Sequence, residues 1–259
     1  MALVELTRPR EDVALLTVNR PDKLNALNTP LLGEFADHLV TVEDDPGVRT
    51  VIITGAGDKA FVAGADIGEY AEGDSQAFTA FQLRGRAFND RLERFPKATI
   101  AAVNGFALGG GFEIALCCDI IVATPSARFG LPEGLLGLSP GGGGSQRLLR
   151  AAGPFVAADV LLSARRLSGE RAHALGLVAD VVEPEQLLNS ALEKAGYIAR
   201  VAPLAAREMK RLLREGADAA LPTALSLEQE VLFRLYSTAD AGEGIRAFLA
   251  KRPATFEGR

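Results

Sequence analysis

Two glutamates beside glycine-rich turns are the residues best placed to do chemistry. Glu113 closes the run Asn104-Gly-Phe-Ala-Leu-Gly-Gly-Gly-Phe-Glu113, and Glu133 lies in Phe129-Gly-Leu-Pro-Glu133-Gly-Leu-Leu-Gly. A further glycine-rich turn is Phe61-Val-Ala-Gly-Ala-Asp-Ile-Gly68. Glycine clusters let a ligand approach the backbone closely. Gly109-Gly110-Gly111 precedes a short helical run. Free N–H groups and the positive end of the helix dipole therefore face the turn, an arrangement suited to stabilising an oxyanion. Two carboxyls in one apolar pocket do not both ionise easily, so one pKa rises and that group can act as an acid. Each glutamate also has an ordinary alternative: Glu113 as a favourable charge in a first helical turn, Glu133 as a surface carboxylate.

Competing chemistries find little support. The two histidines, His38 and His173, fall within helical runs and flank no candidate nucleophile, against a Ser-His-Asp or Cys-His mechanism. No zinc-type cluster occurs. Cys117 and Cys118 are adjacent, a poor match to disulfide geometry, and read as small apolar residues on a packed helix. Gly55-Ala-Gly57-Asp-Lys-Ala60 fits the dinucleotide pattern after a strand, but Phe61-Val-Ala-Gly-Ala-Asp follows it with no helical stripe. Pro140-Gly-Gly-Gly-Gly-Ser145-Gln-Arg147 looks like a phosphate loop without the Lys-[Ser/Thr] of a Walker motif.

The elements that must position these residues alternate between strand and helix. Val13–Val18, Thr50–Thr54, Thr99–Val103, Asp119–Ala123 and Leu177–Val182 read as strands. Helical patterns cover 29–42, with Pro30 at a first-turn position, 75–94, and a short stretch from Gly110 to Cys118. The alternation predicts α/β architecture with parallel pairing. Beyond about residue 145 helices dominate: 146–150, 155–163, 168–175, 184–201, 203–215, 222–236 and 242–252. The division expected is a core over 1–195 and a helical C-terminal extension over 196–259, packed on that core.

Of the 259 residues, 48% are hydrophobic and 24% charged, with net charge −5, as in an ordinary globular chain rather than a disordered one. No apolar run is long enough for a membrane span, and the N-terminus lacks the pattern of a signal peptide. With no disulfide framework, the expected compartment is the cytoplasm. No basic stripe is present, which argues against nucleic acid as a partner.

Several long motifs, in order along nearly the whole chain, resemble the crotonase superfamily of enoyl-CoA hydratases and isomerases. They are Asn19-Arg-Pro-Asp-Lys-Leu-Asn-Ala-Leu27, Ala63-Gly-Ala-Asp-Ile67, Ile100–Ala115, Phe129-Gly-Leu-Pro-Glu133, Pro140–Arg147 and Glu243–Arg252. The resemblance implies a crotonase-like spiral of ββα units, with the C-terminal helices forming a homotrimer or a dimer of trimers. It implies an acyl-CoA thioester substrate and no metal or other cofactor, coenzyme A being part of the substrate. The amides of Ala65 and Gly110 would hold the thioester oxygen. Ala63, Ala65, Asp66, Ile67 and Gly68 would line the CoA and acyl pocket, Lys23, Leu24 and Ala26 would lie near the adenine and pantetheine, and Gly141 would border the acyl site.

Retention of both glutamates implies an enoyl-CoA hydratase of β-oxidation or related acyl-CoA degradation. Water would sit between the carboxylates, Glu113 holding it and Glu133 delivering the proton. The alternatives are an enoyl-CoA isomerase using one glutamate, an RNA-binding homologue, and a dinucleotide-dependent dehydrogenase. Phe112, where smaller residues are often found, and the fourfold glycine run are the departures expected to alter pocket shape.

Overall fold

The computed structural model describes residues 2–71 and 74–259. Its first elements are β1 (Val4–Arg10), β2 (Val13–Val18), α1 (Thr29–Asp44), β3 (Thr50–Gly55), β4 (Ala60–Val62), α2 (Gly68–Ala71) and α3 (Ser75–Glu93). There follow β5 (Ala98–Val103), β6 (Phe106–Leu108), α4 (Gly110–Cys117), β7 (Ile120–Ala123), β8 (Arg128–Gly130), α5 (Gly144–Ala152), α6 (Pro154–Ser163) and β9 (Leu167–Ser168). The chain ends with α7 (Gly169–Ala174), β10 (Asp180–Val181), α8 (Leu187–Ile198), α9 (Pro203–Ala217), α10 (Leu221–Tyr236) and α11 (Ala239–Leu249).

A six-stranded sheet has the order β1-β2-β3-β5-β7-β10, and a four-stranded sheet the order β4-β6-β8-β9. Thus β3, β5 and β7 neighbour one another in the large sheet, and each leads through a short turn to its successor in the small one. A helix or helical turn then returns the chain, and repetition of this ββα unit produces the spiral. The turns are tight. A Cβ on Gly105 would run into the Lys59 carbonyl, so glycine is what lets the β5–β6 turn pass the start of β4.

Packing follows the period of two along the central strands. Val51, Ile53, Ala101 and Val103 face the main core with Leu31, Phe35 and Leu39 of α1. Ile52, Ile100 and Val122 face the other way, against Leu187, Ala191 and Ala195 of α8. Covered on both sides, these strands carry the continuous apolar runs that made them recognisable; each large side chain so buried contributes about 1.5–3 kcal/mol. Helix α1 starts where Asn28 accepts the Leu31 amide at 3.0 Å. The C-terminal helices are tied back by Asp119, whose carboxylate accepts from the Thr99 amide at 2.8 Å, Lys210 Nζ at 2.7 Å and Arg214 at 2.9 Å.

The structure differs from the sequence expectation in instructive places. Pairing is not wholly parallel, since β1–β2 and β8–β9 are antiparallel. Strand β1 (VELTRPR) has one residue fully buried and the rest exposed or half-buried, so it lacks a buried-strand signature. The strands of the small sheet span two or three residues each, too few to show a period. The strand expected over 177–182 contracts to Asp180–Val181, and the helix expected from Pro184 opens as a tight helical turn before α8.

Candidate active site

Glu113 projects from the first turn of α4 and is 5% exposed. The amides of Gly142 and Gly144 donate to its Oε1 at 2.9 and 2.8 Å. Gly144 opens α5, so the carboxylate sits at the N-terminal end of a second helix as well as its own. The loop presenting these amides is clamped from behind. Its Gly142 carbonyl accepts from Asn89 Nδ2 of α3 at 3.0 Å and from Arg147 at 2.6 Å. Arg147 is itself held by Glu93 at 2.7 and 3.0 Å. Burial pushes the Glu113 carboxyl upward and the two amides pull it back, leaving it raised.

Glu133 is treated differently. After β8, Pro132 opens a helical turn over Pro132–Leu136, and Glu133 is its second residue. Its Oε2 is buried without a hydrogen-bond partner among the described residues. A Cβ on Gly109 would lie 3.1 Å from its Oε1, so the carboxyl rests close against the backbone that opens α4. Burial lifts this carboxyl from an ordinary 4.5 to about 7; its own backbone amide opposes the rise and the charge of Glu113 adds to it. The repulsion expected between two carboxylates is therefore present, but burial is the leading cause.

Both glutamates line one cavity of about 510 Å³, which Gly110, Ala65, Gly141 and Gly142 border with their backbones. Ala65 forms a parallel bridge with Leu27: the Leu27 amide donates to Gly64 at 2.8 Å and the Asp66 amide donates to Leu27 at 2.7 Å. That pairing uses the groups either side of Ala65 and leaves its own N–H unpaired. Among the described residues neither the Ala65 nor the Gly110 amide has a hydrogen-bond acceptor. Both residues are half-buried and line the cavity, so these amides without a protein acceptor are open to a ligand acceptor or to water. Arg20 braces this segment, binding the Asp66 carboxylate at 2.9 Å and the Ala26 carbonyl at 2.6 Å. One wall of the cavity is aromatic: Tyr70 packs edge-on against Phe78 and Phe81, and its hydroxyl accepts from Gln82 at 2.9 Å.

Of the sequence-predicted residues, Glu113, Glu133, Ala63, Ala65, Ile67, Gly110 and Gly141 come together in this cavity. Lys23, Leu24, Ala26, Asp66 and Gly68 lie outside its wall. Leu24 instead lines a smaller cavity of about 170 Å³ with Asn25, Gly57 and Lys59. Phe112 does not shape the pocket as expected: it is buried against Phe129 at 5.3 Å, on the core side of α4. Asn89, Tyr70, Phe78 and Phe81 were missed: Phe78 and Phe81 because a helix face lining a cavity carries the same apolar stripe as one lining a core, Asn89 and Tyr70 because they lie outside every recognised motif.

The competing motifs resolve as well. Gly55–Ala60 leads into β4 rather than a helix, so the dinucleotide reading lacks its phosphate-binding terminus. The loop resembling a phosphate cradle wraps the chain's own Glu113 carboxylate. His38 and His173 bond the carbonyls of Val4 and Val178, as structural histidines do. The Cys117 thiol is pushed up to about 12 by burial, which makes it inert as a nucleophile.

Comparison with known proteins gives concordant results. The family described as enoyl-CoA hydratase/isomerase matches residues 8–259. A short-chain-enoyl-CoA hydratase of Clostridium acetobutylicum is 45% identical over 240 residues, 93% of this chain and 92% of that protein. A 2,3-dehydroadipyl-CoA hydratase of Escherichia coli is 43% identical over 96% of this chain and 97% of its own. The solved structure of an enoyl-CoA hydratase from Bacillus anthracis superimposes with a TM-score of 0.97 at 36% identity, covering 100% of both chains.

Proposed function

Because the chain belongs to the enoyl-CoA hydratase/isomerase family, we propose that its cavity hydrates a trans-2-enoyl-CoA to the 3-hydroxyacyl-CoA. The carrying observation is the pair of unlike carboxyls on one cavity: Glu113 anchored by two amides, Glu133 unanchored and poised near neutrality. Such a divergence separates a group that holds charge from one that can give a proton. The thioester oxygen lies on the Ala65 and Gly110 amides, which stabilise the enolate-like charge; each such donor is worth roughly 10²–10³ in rate. Water held by Glu113 attacks Cβ, and Glu133 gives its proton to Cα on the same face, so addition is syn. The proton shed by the water passes to Glu113, and the two carboxyls re-equilibrate through solvent before the next turnover. The chemistry draws on carboxyls and amides alone.

Relatives named for the hydration of short-chain and of dehydroadipyl thioesters support the substrate class. The isomerase reading is less favoured, since it leaves one of the two carboxyls without work. The C-terminal helices display Leu221 (69% exposed), Phe233 (63%), Tyr236 (72%) and Phe248 (83%), an apolar surface suited to a homotrimer or a dimer of trimers. Sedimentation equilibrium tests this, and a monomer at micromolar concentration overturns it.

Loss of the conjugated enoyl-thioester absorbance of crotonyl-CoA tests the reaction. Turnover by wild type, with at least about a hundredfold fall in both Glu113→Ala and Glu133→Ala, is the expected result. Undiminished turnover in Glu133→Ala removes the proton-donor assignment.

A further inference from the structure

Helix α3 presents Phe78, Phe81, Gln82, Gly85, Arg86 and Asn89 to the cavity. These positions recur every three or four residues and form one face. Asn89 marks the catalytic end, since its side chain holds the Gly142 carbonyl beside Glu113. Phe78 and Phe81 mark the aromatic end against Tyr70. Gly85 lies between, about one helical turn (roughly 6 Å) from the level of Asn89.

Gly85 is an anomaly inside a nineteen-residue helix. Glycine there destabilises the helix relative to alanine, and is kept where backbone packing or φ demands it. Neither demand applies. Its φ is not in the left-handed region, and a Cβ built on it meets no described heavy atom within 4 Å. What a side chain would enter is the cavity itself.

Resting on the reading that this cavity takes an enoyl-CoA, we infer that Gly85 sets the length of acyl chain the enzyme accepts. Its missing side chain leaves room for the part of the acyl group beyond Cγ, between the glutamates and the Tyr70 end. A crotonyl group ends at Cγ and stops short of this position. A medium-length enoyl group must run past it.

The test compares kcat/KM for trans-2-octenoyl-CoA and crotonyl-CoA in wild type, Gly85→Ala and Gly85→Leu. Ala87→Leu is the control, because it adds the same side chain to an exposed position of α3 outside the cavity wall. Each methylene kept out of an apolar site is worth roughly fourfold, so displacing two lowers the octenoyl-to-crotonyl ratio more than about tenfold in Gly85→Leu. In Ala87→Leu the ratio stays at the wild-type value. Gly85→Ala folds and melts about 2–4 °C higher, because the helix gains and nothing clashes. Calorimetric binding of octanoyl-CoA and butyryl-CoA reads the same ratio without catalysis. Absence of hydration therefore defeats the reaction, whereas an unshifted binding ratio defeats this inference. An unchanged ratio in Gly85→Leu, or an equal loss on both chain lengths, overturns it.

Discussion

Replacing Glu133 with glutamine separates its catalytic contribution from its energetic one. A rise from 4.5 to about 7 means that the folded protein resists ionising this carboxyl. Between fully neutral and fully charged, that rise corresponds to roughly 3 kcal/mol. The carboxyl opens onto a solvated cavity, so water relaxes part of the penalty and about 1–2 kcal/mol is the working figure. Because the folded pKa is raised, the protonated form is the one the fold favours. Stability is at its full value below 4.5 and declines as pH climbs through about 7. Glutamine never ionises and escapes the decline. Glu113, whose carboxyl is also raised, is present in both proteins; its burial contributes to both, and only its repulsion with Glu133 is lost in the variant, as part of the difference measured.

The expected result is a Glu133→Gln protein at least about a hundredfold slower on crotonyl-CoA yet more stable on the alkaline side. Its advantage over wild type grows by about 1–2 kcal/mol between roughly pH 5 and pH 8. At about 2–4 °C per kcal/mol for a chain of this size, melting temperatures diverge by several degrees. Melts are compared at matched protomer concentration, since association stabilises by mass action. Using the difference between two pH values removes any fixed cost of seating the amide. Wild-type hydration should also fall as pH rises through about 7, as the acid form is lost. Parallel stability curves for the two proteins would refute the claim that burial of Glu133 is unfavourable, and with it the account of why Glu133 is an acid.

Two further perturbations probe the supports. In Gly142→Ala the new Cβ runs into Glu113 Oε2 and lies 2.5 Å from Asn89 Nδ2; denaturation and turnover assays should show a loss of about 1–3 kcal/mol and a fall in kcat. Arg20→Met cuts the tie between Asp66 and the Ala26 carbonyl and loosens the segment presenting the Ala65 amide. About a tenfold fall in kcat with a smaller change in KM is expected, and a change confined to KM would place Arg20 in substrate binding instead.

What the sequence disclosed depended on how locally each feature is encoded. The strands buried on both faces were legible because Thr50–Thr54 and Thr99–Val103 are apolar at every interior position, whatever lies beside them. Helix α1 was legible from Leu31, Leu32, Phe35 and Leu39 with Pro30 at its start. The small sheet was not, because three residues such as Phe106–Leu108 take their conformation from partner strands β4 and β8, some twenty to nearly fifty positions away in the chain. The glutamates stood out by isolation among glycines. The choice of Ala65 and Gly110 as donors came from resemblance to a family, not from any local signal; among the described residues neither amide has an acceptor. The aromatic wall of the cavity stayed hidden because Phe78 and Phe81 are indistinguishable in sequence from core residues.

The two glutamates also differ in how separable their roles are. The amides of Gly142 and Gly144 point inward at Glu113, so that carboxylate completes the start of α5 besides the role proposed for it in holding water. Removing it strands two buried donors, each at a cost of about 1–3 kcal/mol, and frees the loop that Asn89 and Arg147 otherwise hold in place. Lost activity in Glu113→Ala therefore mixes chemistry with collapse of the support. Glu133 supports nothing: its Oε2 has no described partner, and its burial weakens the fold at high pH. A carboxyl held near neutrality beside the cavity, at a cost to stability, is what the proposed proton donor requires. Of the two, Glu133 is the one whose substitution reads catalysis cleanly.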